Sequence, residues 1–397
     1  MSDDEIDMLP DLHTVMPNFV PQPATPHRPN DLLRQAVTHG RPPPAPSSTT
    51  SHPVKKREMT ELPWSDFFDE KKEIHINGDV FNVYLKGDEG PIFYLLHGGG
   101  YSGLTWACFA KELTTLVTCR VIAPDLRGHG ETRCVDEHDL SKETQVKDIN
   151  EIFNKVYGGT DLQVCLVGHS MGGALAVHTL NAKAISADVA ALVVIDVVEG
   201  SAMEALGGMV HFLHSRPSSF DSVDRAIHWC LSSGTAKNPT AARVSMPSQI
   251  RQISEKEFTW RIDLTTTEPY WKGWFEGLSK EFLGCSVPKF LVLAGVDRLD
   301  KDLTIGQMQG KFQTCVLPKV GHCVQVMKLV GLFLYSKFRK TAPTNLLTKS
   351  AGSLVATGLL TPISSSLRLE LLQTRPFSIM KDVITARTGY NSFTILS

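Results

Sequence analysis

The chain has 397 residues, 42% of them hydrophobic and 21% charged, with a formal net charge of -2. That length and composition suit a large folded core, and the near-neutral balance excludes electrostatic attraction to nucleic acid or acidic lipid as an organising feature. Eight cysteines without a C-x-x-C pair signal neither a zinc site nor a disulfide framework, and point to reduced thiols in the cytoplasm or nucleus.

The first residues, "MSDDEIDMLP", are acidic where a signal peptide would be basic and then apolar. Residues 1–61 contain "PNFVPQPATPHRPN" and "RPPPAPSSTT", and read as a disordered, proline-rich segment that buries too little apolar area to offset ordering entropy. Next, "IHIN" and "VFNVYLK" alternate as an antiparallel pair, and "PIFYLLHGGG" is a buried strand ending in glycines. A helix over "TWACFAKELTTL" precedes the strand and turn "CRVIAPDLRGHG", and "SKETQVKDINEIFNKVY" is an amphipathic helix. The strand "LQVCLVG" runs into a helix from Met171, and "AALVVIDVVEG" is a further strand. A mostly helical insert over about 201–278 comes before "PKFLVLAGVD" and "FQTCVLPKVGH". Strands alternating with helices predict an α/β fold, a mostly parallel central sheet with helices on both faces and a helical cap insert. The expected units are residues 62–339 for this domain and 340–397 for an atypical tail. The apolar run "VMKLVGLFLY" is too short for a membrane span and is interrupted by Lys328.

Ligands in such sheets bind at the carboxyl ends of the strands. There, Gly168-His169-Ser170-Met171-Gly172 fits G-x-S-x-G between a buried strand and a helix, the setting of a nucleophile elbow. Glycines two positions either side of Ser170 remove side chains that would collide in so tight a turn. Acyl transfer needs oxyanion donors: the amide of Met171, and a second from His97-Gly98-Gly99-Gly100, with Gly99 or Gly100 the candidate. A base must take the serine proton, and chain order places it at His322 in "LPKVGHCVQ". Two strand-end aspartates, Asp196 and Asp297, compete to orient the imidazole, and sheet architecture favours Asp297.

"HGGGYSGLTWA", "GHSMGGALAVHT", "VVIDVVEGSAMEAL", "ARVSM", "TWRIDL", "YWKGWFEGLS" and "VLAGVDRLDKDLTIGQMQGKFQ" together resemble the protein phosphatase methylesterases. The likeness runs from about Leu62 to His322. It implies an α/β-hydrolase that removes a methyl ester from the C-terminal leucine of the type 2A protein phosphatase catalytic subunit, with neither metal nor organic cofactor. It also implies nucleophile Ser170, acid Asp196 and base His322, against the architectural preference for Asp297. An acidic insertion that some family members carry before "TWRIDL" is absent, and "CVQVMKLVGLFLYSKFRK" replaces the family's closing helix. Met203, Met209, Trp260, Trp271 and Trp274 in the insert read as core, while the resemblance implies that part of the insert meets the phosphatase. A phosphatase-binding protein of poor catalytic power and a generic short-chain ester hydrolase are the alternatives.

Overall fold

The computed structural model describes residues 59–183, 185–294 and 299–317. Strands β1 (Glu70–Ile76) and β2 (Asp79–Lys86) pair in antiparallel register. The Asn77-Gly78 connection takes φ values of 50° and 93°, the positive pair that matches a two-residue turn to strand twist. Strand β3 (Ile92–Leu96) is buried throughout; Ile92, Tyr94 and Leu96 enter one core, Phe93 and Leu95 the other. A strand apolar on both faces requires cover on both.

That cover comes from the intervening helices. Helix α1 (Ala107–Leu116) sends Phe109, Ala110 and Leu113 into the core shared with Phe93 and Leu95. After β4 (Arg120–Pro124), helix α2 (Lys142–Tyr157) covers the opposite face. Ser141 caps α2 by accepting from the Thr144 amide at 3.3 Å. Its buried residues, Gln145, Asp148, Ile149, Ile152 and Phe153, fall three and four apart, the spacing of one helical stripe. Strand β5 (Val164–His169) alternates like β3, and the helix that follows it, α3 (Met171–Asn181), is buried from Met171 to Thr179. A helix apolar all round belongs inside, and small residues let it lie close to the sheet.

After β6 (Val189–Ile195) the chain leaves the sheet. It builds α4 (Glu199–His214), β7 (Ser219–Phe220), α5 (Val223–Ser232), α6 (Pro239–Ser245), β8 (Ile250–Ser254), β9 (Glu257–Trp260), α7 (Glu268–Phe275) and α8 (Leu278–Gly284). It returns through β10 (Lys289–Leu293), α9 (Lys301–Met308) and β11 (Gln313–Val316). The large sheet has the order β1-β2-β4-β3-β5-β6-β10-β11, antiparallel from β1 to β4 and parallel from β4 onward.

The insert is mostly helical, as expected, and β7, β9 and β8 add a small antiparallel sheet of their own. The β8–β9 connection is only Glu255-Lys256, and Phe258 and Trp260 pack on a small cap core containing Phe220, Ile227 and Ile250. One expectation is corrected: Met59–Glu61 do not belong with a disordered segment. The Met59 amide donates to Asp224 at 2.9 Å, and Arg243 donates to the Thr60 carbonyl at 2.6 Å. The rest of the expected proline-rich segment, and the expected tail, lie outside the described residues. Among the described residues no helix is long and apolar enough to cross a membrane.

Candidate active site

Sheet register brings the candidate residues to one edge. Leu96 pairs with Gly168, and His169 with Ile195. The glycine loop after β3, Ser170 after β5 and Asp196 after β6 therefore leave neighbouring strands at nearly the same height. The Ser170 amide donates to the Ile195 carbonyl at 2.9 Å, tying the elbow to the strand that delivers Asp196.

Ser170 has φ 52° and ψ -122° and precedes α3 directly. Such a conformation costs a non-glycine residue on the order of 1–3 kcal/mol, and the surrounding structure must hold it. The packing of the flanking glycines shows how. A Cβ on Gly168 would lie 2.1 Å from the Gly172 carbonyl oxygen; one on Gly98 would lie 3.2 Å from Ser170 Cβ. The glycine loop thus passes directly beside the serine. Among the described residues the Gly99 and Met171 N–H groups have no acceptor. That of Gly100 is committed: it donates to His129 Nε2 at 2.9 Å.

This loop is stitched to the segment after β4 at three points. His97 Nε2 accepts from the Leu126 amide at 2.9 Å, His129 Nε2 accepts from Gly100, and Asp125 Oδ1 accepts from the Gly103 amide at 2.7 Å. Because each Nε2 accepts, each Nδ1 bears the proton: that of His97 donates to the Gly98 carbonyl and that of His129 to the Arg127 carbonyl. Both rings are therefore neutral. Burial, with the neighbouring His129, holds His97 well below the ordinary imidazole range, and burial pushes His129 down to about 4. Asp125 is pushed up to about 6 by burial, against donors from Glu131, Asn82 and Gly103.

The sign for stability follows from linkage. An unfolded histidine takes its proton near pH 6.5, whereas folded His129 resists until about 4. Its stabilisation is present above pH 6.5 and is lost as pH falls towards 4, by about 3 kcal/mol in all. Asp125 acts oppositely below pH 6, since its folded form takes up a proton before the unfolded form does. Urea midpoints of the native chain and His129→Asn at pH 7.5 and 5 check this. The variant is expected to be less stable at pH 7.5 and to lose less on acidification; an equal loss in both would remove His129 as a source.

Asp196 follows β6 with φ 54° and is 9% exposed. Its amide donates to the Val292 carbonyl at 2.7 Å, and its Oδ1 accepts from the Ala294 amide at 2.7 Å. The end of β10 thus orients its carboxylate. The structure brings Ser170, Met171, Gly99, Gly100 and Asp196 to one edge, whereas His322 and Asp297 lie outside the described residues.

A cavity of about 190 Å³ opens beside Ser170, with Gly99, Gly100 and Met171 in its wall. Its remaining lining comes mostly from the cap, including Leu206, Met209, Phe212 and Leu213 near α4, Trp260, and Trp271, Trp274 and Phe275 of α7. That volume is below the ~300–1,000 Å³ of pockets for drug-sized ligands, so it suits one side chain or a chain end. Trp271 and Trp274, expected as core, are core on one side and cavity wall on the other. Their indole N–H groups donate to Thr267 Oγ1 at 2.6 Å and the Leu140 carbonyl at 2.8 Å, which fixes the rings.

Residues 93–327 match the alpha/beta hydrolase family. The chain is 80% identical over 325 residues to the probable protein phosphatase methylesterase 1 of Caenorhabditis elegans, covering 82% of this chain and 88% of that protein. It belongs to the protein phosphatase methylesterase family. It is also 44% identical over 352 residues to protein phosphatase methylesterase 1 of Mus musculus, covering 74% of this chain and 91% of that protein. The corresponding Schizosaccharomyces pombe protein is 41% identical over 288 residues, covering 70% and 84%. Two solved structures share the fold alone. E-2-(acetamidomethylene)succinate hydrolase has TM-score 0.56 at 19% identity, covering 68% of this chain and 99% of its own. The thioesterase domain from the curacin biosynthetic pathway has TM-score 0.53 at 21% identity, covering 68% and 98%.

Two residues of this methylesterase-family site escape a reading of its sequence. His129 sits in "DLRGHG", a glycine-flanked histidine on a strand-end loop, and that placement was the available signal. Arg216 lies after α4 in "HSRPSS", where nothing local marks it as facing the cavity.

Proposed function

We propose that the chain is a serine carboxyl-esterase that removes the methyl ester from the C-terminal leucine of a type 2A protein phosphatase catalytic subunit, in the cytoplasm or nucleus. The observation that carries this reading is Ser170 held at φ 52° beside an apolar cavity, with the uncommitted Met171 and Gly99 amides alongside. Family membership supports the choice of ester.

His322 takes the Ser170 proton as Oγ attacks the ester carbonyl. The oxyanion is held by the Met171 and Gly99 N–H groups, at the positive end of α3. Gly100 serves instead to fix the loop through His129. Asp196 keeps the imidazole oriented and stabilises its protonated form. Collapse of the tetrahedral intermediate expels methoxide, which leaves as methanol with the proton from His322. Water then adds to the acyl-serine by the same route, and the free carboxylate departs. A methyl group offers little area for recognition, so selectivity rests on the leucine side chain and the rest of the phosphatase.

The test is methanol release from methylated phosphatase catalytic subunit. The native chain releases stoichiometric methanol and Ser170→Ala none. A native chain that cleaves short esters but leaves the methylated subunit intact would sink the substrate assignment.

A further inference from the structure

Arg216 lines the same cavity as Ser170. Its guanidinium carbon stands 4.2 Å from the centre of the Trp260 ring, and the indole N–H of Trp260 is tied to the Pro217 carbonyl at 2.8 Å. The ring also abuts Phe220 and Trp229, with centroids 5.5 and 5.3 Å away, so the platform under the guanidinium is rigid. Stacking occupies the face of a guanidinium and leaves its in-plane N–H donors available. Here they are unused. Nε is buried without a hydrogen-bond partner, and among the described residues Arg216 makes no side-chain hydrogen bond and no ion pair. Tyr101 and, after it, Asp263 exert a field on Arg216 without bonding to it, and Asp263 Oδ1 accepts instead from the Thr265 amide and hydroxyl at 2.9 and 2.7 Å. Burial also holds Arg216 below its ordinary arginine value, and arginine nevertheless stays protonated at neutral pH.

A cation half-buried in a mostly apolar cavity is costly unless something pairs with it. We infer that Arg216 is the carboxylate-recognition residue of the substrate cavity, its guanidinium edge binding a carboxylate on the peptide whose ester reaches Ser170. This deepens the esterase reading and rests on it for the identity of the ligand as a peptide. A terminal ester is itself neutral, so the carboxylate is either an acidic side chain upstream of the ester or the terminal carboxylate formed when the ester is cleaved. Both present the same planar acceptor pair to the guanidinium fork.

Calorimetric titration of the full-length Ser170→Ala protein, in which no turnover intervenes, distinguishes the two sources. Three peptide sets ending in leucine are compared: uncharged methyl esters, methyl esters with aspartate placed in turn at each of the four preceding positions, and uncharged sequences with a free terminal carboxylate. At least one carboxylate-bearing peptide is expected to bind about tenfold or more tightly than its neutral counterpart, the range of a hydrogen bond to a charged group. Which set gains identifies the source. Adding Arg216→Gln removes that gain, so that charged and neutral peptides then bind within about twofold of one another, while Arg216→Lys keeps part of it by retaining the charge. Equal binding of all peptides, or a gain that survives Arg216→Gln, overturns the inference. Fluorophosphonate labelling of the native chain reads the other proposal separately: an unlabelled Ser170 with an Arg216-dependent gain would refute the esterase reading alone.

Discussion

Asp196→Asn is expected to hydrolyse the methyl ester about 10⁴-fold more slowly than the native chain, the loss seen when a triad carboxylate becomes its amide. Asp297→Asn is expected to stay within about tenfold. Ser170→Ala, losing the nucleophile itself, sets the floor at about 10⁶-fold below native. The contrast rests on what holds Asp196. It follows the strand to which the Ser170 amide is bonded, is nearly buried, and has a backbone at φ 54°. Strained backbone at a strand end persists only where the surroundings enforce it, and such positions concentrate at functional sites. The amide is a discriminating substitution. Asparagine retains an oxygen to accept from Ala294 N, so the thermal midpoint should shift by only a few degrees while kcat collapses. A purely structural Asp196 would show the opposite pattern, with stability lost and kcat kept. A larger kcat loss in Asp297→Asn than in Asp196→Asn would transfer the acid's role to Asp297.

The elbow was legible in the sequence because its determinants are local. Gly168, Ser170 and Gly172 lie within five residues, and the strand and helix around them have distinct patterns. The β1–β2 hairpin was legible for the same reason, with Asn77-Gly78 between alternating segments. What was not legible depends on contacts between distant residues. The competition between Asp196 and Asp297 is undecidable from two strand-end aspartates, because it turns on which carboxylate meets the His322 imidazole. Likewise, "HGGG" offers both Gly99 and Gly100 as donors until a histidine 29 residues away is seen to occupy the Gly100 N–H. The cap sheet was missed because β7 has only two residues and its partner β9 only four, too short for a period to declare itself. Arg216 carries no local signal, because a lone arginine beside a proline reads as solvated loop.

Gly172→Ala provides the second large effect, and it isolates geometry from chemistry. Gly172 lies in the first turn of α3 with an ordinary helical backbone, so alanine there should gain up to about 1 kcal/mol of helix propensity. Packing opposes it. The new Cβ would stand 2.3 Å from the Leu96 carbonyl oxygen and 2.4 Å from that of His97. Both obstacles are backbone at the end of a central strand, where no side-chain rotation relieves the clash. Overpacking of this kind typically costs about 1–3 kcal/mol and sometimes more, so the clash should outweigh the propensity gain. To accommodate the methyl group, α3 must move away from the glycine loop. That carries Ser170 and the Met171 amide away from Gly99, and a displacement of about 1 Å between reacting groups can cost about a hundredfold in rate. We therefore expect a net loss of stability with kcat/KM lower by about 10²-fold. Gly207→Ala supplies the control: this exposed glycine lies within α4, and a Cβ there meets nothing within 4 Å. It should raise stability by up to about 1 kcal/mol and leave turnover unchanged. Urea denaturation and initial rates on the same preparations check both substitutions. If Gly172→Ala behaves like Gly207→Ala, the close approach of helix, strand and glycine loop does not set the position of the serine.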